Sequence, residues 1–250
     1  MNTRINKTHK VITEEGSALA KYQHVMVGSQ SIGFLIYFEF CSWLGKFPGA
    51  LGIVLRKLFW PRLFGSCGKG VMFADNIMLR HPRRIHLGNR VILSEGSVLD
   101  ARHDSENQVL TLDDDVMLSI NVMISCKNGC VYVGKRTGLS AHTIIHATND
   151  CPVNIGADAI IGPQCYLAGG GNYNYDRLDI PMRDQGIKQD GGVTLEDDTW
   201  LGAKTTVLGG VTIHKGSITG ASSVVSKSVP EYSICAGVPA KVLRKRTDHK

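Results

Sequence analysis

The sequence predicts a mainly β protein, in which a solenoid of parallel strands follows a short N-terminal helical segment. From residue 71 onward, aliphatic residues recur at every sixth position, and Gly or Ser often follows them. A period of six fits neither a helix nor a simple strand. It indicates a flat solenoid side that ends in a corner after each hexapeptide. Three sides make one triangular coil, and the repeat is carried by Leu87, Leu93, Leu99; Leu112, Leu118, Ile124; Val133, Leu139, Ile145; Ile155, Ile161, Leu167; Leu195, Leu201, Val207; and Ile213, Thr219, Val225.

The spacing between coils indicates where the solenoid is interrupted. An uninterrupted coil is three hexapeptides long, and only Leu195 and Ile213 start coils that follow each other with nothing added. Every other coil carries surplus residues after its third hexapeptide, so all insertions are expected at one corner of the prism. Loops gathered on one edge of a rigid repeat array commonly form a binding site. The largest insertion contains YLAGGGNYNYDRLDIPMRDQG (166–186), and we expect a protruding loop over residues 168–192.

Positive charge is concentrated at the N-terminus. Residues 1–70 hold nine Lys or Arg and three Asp or Glu, whereas the rest of the chain holds 19 of each sign, so the net charge of +6 belongs to the first segment. A nucleic-acid-binding fold is expected to carry its basic surface on the folded domain, which argues against nucleic acid as a partner.

Seven scattered cysteines without a CxxC pair favour reduced thiols, and the polar stretch 1–24 favours the absence of a cleavable signal peptide. We therefore expect a cytoplasmic location.

The apolar part of the N-terminal segment reads IGFLIYFEFCSWLGKFPGALGIVLRKLFWPRLF (32–64). Its longest clean apolar run, from Ile32 to Phe38, is far shorter than the roughly 20 residues of a spanning helix. We therefore expect two short helices interrupted near Pro48. Aromatic residues beside Lys and Arg favour an anchor at the inner membrane surface, and helices that cap the neighbouring core are the alternative. The expected organisation is a polar tail and helical segment over 1–70, the solenoid over 71–230, and a closing strand with a basic tail over 231–250.

The repeat resembles the hexapeptide-repeat acyltransferases over about residues 70–246. The resemblance implies a left-handed parallel β-helix, a homotrimer with active sites between neighbouring prisms, and acetyl-CoA as the acyl donor. The subgroup that the chain resembles is the sugar and polysaccharide O-acetyltransferases, which implies a saccharide or lipid-linked glycan as acceptor and no metal. The segments that carry the resemblance are DIPMRDQG (179–186), TWLGAKTTVLGGVTI (199–213), ITGASSVVSKSVP (218–230) and AGVPAKVLRKR (236–246).

The chemistry that the resemblance implies needs a base, because a sugar hydroxyl is a poor nucleophile until its proton is removed. In the family the base is a histidine at the start of the protruding loop. In this chain that place is occupied by Tyr173, or by Asn172 in a shifted alignment. Asn is no base, and the ordinary pKa of Tyr is about 10, so the base is expected elsewhere.

The repeat itself offers a replacement. The positions that follow the third apolar residue of each coil are expected to stack as Asp100, Ser125, His146 and Ala168. This places His146 one coil before the glycine-rich loop, and its ordinary pKa suits a base near neutral pH. We predict His146 as the base. His142, Tyr173 and a water-mediated base remain open as alternatives.

The remaining site residues belong to the loop and to the late coils. In the loop, the predicted acceptor-binding residues are Asn172, Tyr175, Asp176 and Arg183. In the late coils, the resemblance implies that acetyl-CoA is bound by backbone N–H groups, small residues and distal cations: Trp200, Gly202, Ala203, Gly220, Ala221, Ser222, Lys227, Lys241 and Arg244.

Two other functions fit the same predicted fold. A γ-class carbonic-anhydrase-like enzyme needs three imidazoles around zinc. His142 and His146 are one residue closer together than in that class, and no clear third ligand follows on a neighbouring coil. A non-catalytic binding protein is the other alternative, favoured by the missing histidine of the loop.

Overall fold

The chain folds into a triangular prism of stacked coils whose first end is covered by helices. A computed structural model describes Thr13 and residues 16–248. The first part of the predicted polar tail and the last two residues of the basic tail lie outside the described residues. Each coil runs along three short strands, and equivalent strands of successive coils pair in parallel to form three sheets. The parallel β-helix predicted from the repeat and the helical segment predicted from the N-terminal apolar stretch are both confirmed.

The strands are numbered in chain order, and the three sheets are called faces A, B and C. Face A contains β1 (Ser66–Cys67), β4 (Ile85–Leu87), β7 (Leu110–Leu112), β10 (Val131–Val133), β13 (Val153–Ile155), β18 (Val193–Leu195) and β21 (Val211–Ile213). Face B contains β2 (Met72–Phe73), β5 (Ile92–Leu93), β8 (Met117–Leu118), β11 (Gly138–Leu139), β14 (Ile160–Ile161), β19 (Trp200–Leu201), β22 (Ile218–Thr219), β24 (Ser233–Gly237) and the antiparallel β25 (Ala240–Lys245). Face C contains β3 (Met78–Arg80), β6 (Val98–Arg102), β9 (Met123–Lys127), β12 (Ile144–Thr148), β15 (Tyr166–Gly169), β20 (Thr206–Val207) and β23 (Val224–Val225).

The predicted hexapeptide positions form the core of the prism. All the aliphatic residues of the repeat are buried, and equivalent ones pair coil upon coil, as Leu112, Val133 and Ile155 do on face A. Thr219, the one polar member of the repeat, is also buried, and its hydroxyl lies 3.2 Å from that of Thr205. The seven cysteines are free thiols, as the sequence predicted.

All the insertions leave the prism at the corner between face C and the next strand of face A, here called the C–A corner. The connections there span residues 103–109, 128–130, 149–152 and 170–192. The corner between faces B and C, the B–C corner, is made of short turns in every coil. The prediction that one corner carries every insertion is confirmed, because each surplus in the repeat maps to the same junction.

The outward-facing residues differ between the three faces. On face A the outward ladder is polar, whereas on faces B and C it is mostly apolar and partly exposed. The face A ladder is Ser66, His86, Thr111, Tyr132, Asn154, Thr194, Thr212. The face B ladder is Met72, Ile92, Met117, Gly138, Ile160, Trp200, Ile218, Ile234. The face C ladder is Met78, Val98, Met123, Ile144, Tyr166, Thr206, Val224.

The helices of the described N-terminal segment cover the first coil. Helix α1 (Ala18–Tyr22) continues into a π-helical turn (Gln23–Val27), α2 spans Ile32–Leu44, and α3 (Gly49–Phe59) continues into a 3-10 turn (Trp60–Leu63). The side-chain oxygen of Ser31 accepts a hydrogen bond from Phe34 N and caps α2. Pro48 lies directly before α3, so the predicted break between two helices is confirmed. Trp60 packs on Phe73 inside the first coil, which joins the helices to the core of the prism.

Arg56 is a cation buried at the junction of the helices and the prism. Its side chain is 1% exposed. Its Nε donates to Phe73 O at 3.0 Å, and its Nη1 donates to Leu44 O at 3.1 Å and to Phe47 O at 2.7 Å. Two of these carbonyls lie at or just after the end of α2, where backbone acceptors have no partner inside the helix. Arg56 therefore satisfies that end and ties α2 to α3 and to face B.

Replacing Arg56 by Leu is expected to destabilise the fold by about 3 kcal/mol or more, because buried carbonyls then lose their donor. Chemical denaturation of the purified protein measures the change. The matched control is Lys57→Gln, at an exposed neighbour on the same helix, for which we expect a change within about 0.5 kcal/mol. Equal stability of the two variants would contradict the role assigned to Arg56.

Candidate active site

The largest insertion folds into a hairpin that projects from the C–A corner. It leaves β15 after Gly169 and returns at Val193, close to the predicted bounds of 168–192. Strands β16 (Asn172–Tyr173) and β17 (Ile187–Lys188) pair antiparallel. Gln185 closes the tip: its Nε2 donates to Arg177 O at 2.6 Å and to Ile180 O at 3.1 Å, and its Oε1 accepts from Arg177 N at 3.0 Å. The tip is thus held by its own side chains.

Asp190 fixes the base of the hairpin to the prism. Its Oδ1 accepts hydrogen bonds from Gly170 N at 3.2 Å and Gly192 N at 2.9 Å, and its Oδ2 accepts from Asn172 Nδ2 at 2.7 Å. One carboxylate therefore holds both the outgoing and the returning chain. Gly209 of the next coil lies against it, since a Cβ on Gly209 would collide with Asp190 Oδ2.

The glycine run at the start of the loop is required by close packing. Gly170 has a φ of 78°, in the left-handed region that favours glycine, and a Cβ there would lie 2.5 Å from Thr148 O. A Cβ on Gly169 would lie 2.7 Å from Val153 Cγ2. These two glycines therefore let the loop leave the prism tightly against the preceding coil.

An open groove of about 640 Å³ lies between the hairpin and the next coil. Three of the predicted site residues, Asn172, Tyr173 and Tyr175, line it. The sequence did not point to its other side-chain contributors, Lys188, Gln189 and Asp190. Their only signal in the sequence is a polar run just before the Gly-Gly pair at which the loop returns to the prism. The groove offers aromatic surfaces, amides and one charge of each sign, which suit a polyhydroxylated ligand.

His146 lies one coil before the hairpin, on the outer surface of face C. Strand β12 pairs it with Ser125 on one side and with Ala168 on the other, and Ser125 pairs with Asp100, so the predicted stack is confirmed. The imidazole is half-buried. Burial lowers the pKa of His146 below its ordinary value of 6.5, nearby Lys127 lowers it further, and Asp100 opposes the shift. At neutral pH the ring is therefore uncharged and able to accept a proton.

Asp100 belongs to a buried ion cluster on the same stack. Its carboxylate accepts from Arg102 Nε at 2.8 Å and from Arg102 Nη2 at 2.5 Å, and Arg80 Nη1 lies 3.4 Å away. Asp100 raises the pKa of His146, but by less than burial lowers it.

The other predicted loop and histidine residues lie apart from the groove. His142 occupies a B–C corner with a φ of 60° and is exposed. Asp176 and Arg183 are exposed toward the tip of the hairpin, where Arg183 Nε lies 3.8 Å from Asp184 Oδ1. His146 is likewise absent from the residues that line the groove within one protomer.

The residues assigned to the acyl donor gather at the B–C corner of the late coils. Ala203 and Ser222 lie on successive turns, with Ser222 N donating to Ala203 O at 2.8 Å. Gly202 N donates to Thr219 O at 2.9 Å and Gly220 N donates to Cys235 O at 2.7 Å, so these two N–H groups are already used between coils. Ala221 is exposed at the same corner.

The more distant donor residues spread over the surface. Trp200 is 49% exposed on the outer ladder of face B, so it is not a core residue. Lys227 is exposed at the C–A corner, and Lys241 is exposed on β25. Arg244, also on β25, donates through Nη1 to Lys245 O at 3.2 Å and to Asp248 O at 3.1 Å. Face C thus separates the B–C corner from the hairpin within one protomer.

No group of three His, Cys, Asp or Glu side chains is placed to hold a metal ion within the part of the chain that the structure describes. The zinc-enzyme alternative therefore has no ligand set among those residues.

Known proteins resemble the chain in sequence or in fold. No family model matches the chain. "Probable acetyltransferase Rv3034c" of Mycobacterium tuberculosis is 30% identical over 168 residues, covering 65% of this chain and 55% of that protein. The polysialic acid O-acetyltransferase OatWY has a TM-score of 0.54 at 18% identity, over 72% of this chain and 81% of its own. The chain is therefore similar in sequence to a named acetyltransferase and shares its β-helix fold with a solved O-acetyltransferase.

A second solved structure has the same fold. The N-acyltransferase AntD of Bacillus cereus, in complex with dTDP and 3-hydroxybutyryl-CoA, has a TM-score of 0.50 at 21% identity, over 73% of this chain and 83% of its own. The solved structures that share this fold are left-handed β-helices, which confirms the predicted hand of the prism. This hexapeptide-repeat chain spans about half the length, 55%, of the curated relative from Mycobacterium tuberculosis.

Replacing Asp190 by Ala in this hexapeptide-repeat protein is expected to loosen the hairpin by about 1–3 kcal/mol, because three donors lose one shared acceptor. Hydrogen exchange of the amides in residues 170–173 and 187–192 is expected to speed up, with the coils of the prism unchanged. The matched control is Asp184→Ala, at an exposed carboxylate near the tip. Unchanged hydrogen exchange at the base of the hairpin in Asp190→Ala would contradict the proposal that Asp190 holds this base in place.

Proposed function

We propose that this protein is an acetyl-CoA-dependent O-acetyltransferase that acylates a hydroxyl of a saccharide or lipid-linked glycan. The observation that carries the proposal is the half-buried His146, whose pKa is lowered and which lies one coil from a hairpin groove lined by Tyr173 and Tyr175. The acetyltransferase name of the relative and the CoA complex of AntD support an acyl-CoA donor. The acceptor class is favoured by the polar, aromatic lining of the groove.

In the proposed reaction His146 acts as the general base. It takes the proton of the acceptor hydroxyl while the hydroxyl oxygen bonds to the thioester carbonyl carbon. The carbon–sulfur bond then breaks, and the imidazolium returns the proton to the departing thiol sulfur. The Ala203 N–H is the proposed donor to the carbonyl oxygen as charge develops there, because the neighbouring Gly202 N–H is committed to Thr219 O.

The proposal places the donor along the late coils. Small residues at the B–C corner, Gly202, Gly220, Ala221 and Ser222, leave room for an extended pantetheine arm, and Trp200 flanks it on face B. Lys227 and Lys241, both exposed, are proposed to meet the phosphates. Arg244 is the weaker member of this set because its guanidinium already binds carbonyls of the C-terminal turn.

We propose a homotrimer as the working form. Faces B and C carry the apolar outer ladders, and they share one corner, while face A is polar. Contiguous exposed apolar surface marks an interaction site. In a ring of three, the edge of face B at the B–C corner of one copy meets face C of the next copy beside its C–A corner, and face A stays in water. The neighbour's late-coil corner then lies beside His146 and the hairpin, which completes a site that one protomer leaves open.

The wild-type protein is expected to bind CoA and to lose turnover when His146 is replaced by Ala. At CoA concentrations 100-fold above the Kd, binding adds about 2.7 kcal/mol of stability in both proteins, which thermal unfolding detects. Turnover, followed as thiol release from acetyl-CoA with a panel of oligosaccharides, is expected to fall about 10²–10⁴-fold in His146→Ala. The matched variant Tyr173→Phe keeps the aromatic ring of the groove and removes only the hydroxyl, so its turnover is expected to fall far less than that of His146→Ala.

The pH dependence of kcat/KM provides a second test of His146 as the base. A base works only when unprotonated, and the pKa of His146 is lowered, so kcat/KM is expected to fall with decreasing pH only below the ordinary value of 6.5. Native turnover in His146→Ala together with loss in Tyr173→Phe would move the base to the tyrosine. Absence of stabilisation by CoA in the wild type would refute the donor.

Charged substitutions on the apolar ladders are expected to dissociate the trimer. Met117→Glu on face B and Met123→Glu on face C each bury a carboxylate in the proposed contact, which is strongly unfavourable. Light scattering after size-exclusion chromatography should show the trimer for the wild type and the monomer for both variants. Tyr132→Glu, at an exposed position of the polar ladder on face A, is the control and should remain trimeric. A monomeric wild type would refute the assembly.

A further inference from the structure

Helix α2 exposes an apolar stripe on the side away from the prism. Its members follow the helical spacing of four, four and three residues, which places them on one side of the helix: Ile32, Ile36, Phe40 and Trp43. Trp43 is 61% exposed. The opposite side of α2 is packed in the core of the prism through Phe34, Leu35, Phe38, Cys41 and Leu44. Helix α2 therefore has two apolar sides: one is packed in the core, and the other is largely exposed apart from the ring contacts of Phe40 with Phe59 and of Trp43 with Phe47.

Helix α3 repeats the pattern. Leu51, Val54 and Leu58 lie at helical spacing and are exposed, Leu58 by 63%, while Gly52 and Arg56 on the other side are buried. The rings of Phe40 and Phe59 meet edge to face at 5.2 Å and join the two helices. We define the helix surface as Ile32, Ile36, Phe40, Trp43, Leu51, Val54 and Leu58.

The helix surface lies at the end of the prism. The π-helical turn contacts β3, helix α3 contacts β2, and the 3-10 turn contacts β1, so the helical segment covers all three faces of the first coil. The buried sides of the helices close the core there, as the ring contacts of Phe73 with Trp60 and Phe64 show. Apart from the ring contacts of Phe40 and Trp43, the stripes of both helices remain exposed among the described residues.

The charges around the helix surface are positive. Lys46, Lys57 and Arg62 are exposed beside it, and Glu39 is the only acidic residue between positions 16 and 70. Tyr22 Oη donates to Glu39 Oε1. The solenoid that follows is neutral overall. Contact with a second copy through this surface would bring like charges together, whereas an anionic lipid surface offers both hydrocarbon and opposite charge.

We propose that the helix surface docks the protein on an anionic lipid bilayer, with α2 and α3 lying in the interface. Within the described residues no single helix is long and apolar enough to cross a bilayer. Residues Ala18–Val27 and Ile32–Leu44 together meet the length and composition for crossing, but they bend by 65°. Because one side of α2 is packed against the prism, lipid can reach only its other side. This docking is independent of the proposed acetyl transfer.

The experiment measures co-sedimentation of the full chain with vesicles of mixed phosphatidylcholine and phosphatidylglycerol, and with vesicles of pure phosphatidylcholine. We expect binding to the anionic vesicles that weakens at high salt. Lys57→Gln/Arg62→Gln is expected to weaken partition roughly 30-fold, through the loss of two cations at the lipid surface. Ile36→Ser/Leu58→Ser is expected to weaken it at least as much, because both side chains lose burial in the interface.

Matched controls separate the helix surface from general stickiness. Leu178→Ser/Leu243→Ser removes two exposed apolar side chains elsewhere, 98% and 65% exposed, and Lys135→Gln removes an exposed cation of the solenoid. Both should bind as the wild type does. Thermal unfolding checks that every variant is folded.

Two results would overturn the proposal. One is a wild type that does not sediment with anionic vesicles. The other is an Ile36→Ser/Leu58→Ser variant that binds them as tightly as the controls. A change in oligomeric mass of that variant without lipid, together with no vesicle binding by the wild type, would assign the surface to contact between copies instead.

Discussion

Backbone pairing between successive coils is the constraint from which the rest of the structure follows. Every strand of the prism must meet its equivalent one coil later in unbroken register, because the sheet hydrogen bonds have no other partner. The turns absorb the remaining freedom. Many corners place a residue with positive φ, such as Asp158, Asp198 or Lys204, in the left-handed region. Extra residues are accommodated only where they leave three strands per coil undisturbed.

The same register decides which side chains meet on the outside. The residue just before a buried position in one coil lies beside the residue just before the equivalent buried position in the next coil. The polarity of an outward ladder is therefore set by residues from many coils. This is why face A is polar along its length and face B is apolar along its length. It also explains how His146 comes to lie beside Ala168, although a whole coil of sequence separates them.

The features that depend on the repeat could be predicted from the sequence. The features that depend on hydrogen bonds within one loop or at one helix end could not. The stack of Asp100, Ser125 and His146 follows from counting hexapeptides, because the strand register places equivalent residues of successive coils side by side. The groove contribution of Asp190 depends on a hairpin whose path is set by hydrogen bonds with no periodic signature. In the sequence Arg56 cannot be distinguished from the neighbouring cation Lys57. Only the structure shows that Arg56 is buried and donates hydrogen bonds to carbonyls at the end of α2.

The helices and the hairpin lie at a fixed distance from each other along the prism. The helices cover the coil of β3, and the hairpin leaves the coil of β15, four strand spacings further along face C. At about 4.8 Å per spacing, the two features are about 19 Å apart along the prism. A molecule held at the helical end can therefore reach the groove only through a part of it that lies about 19 Å from that end. The length of the prism thus sets which part of an elongated molecule can reach the groove, independently of any chemical group that the groove recognises.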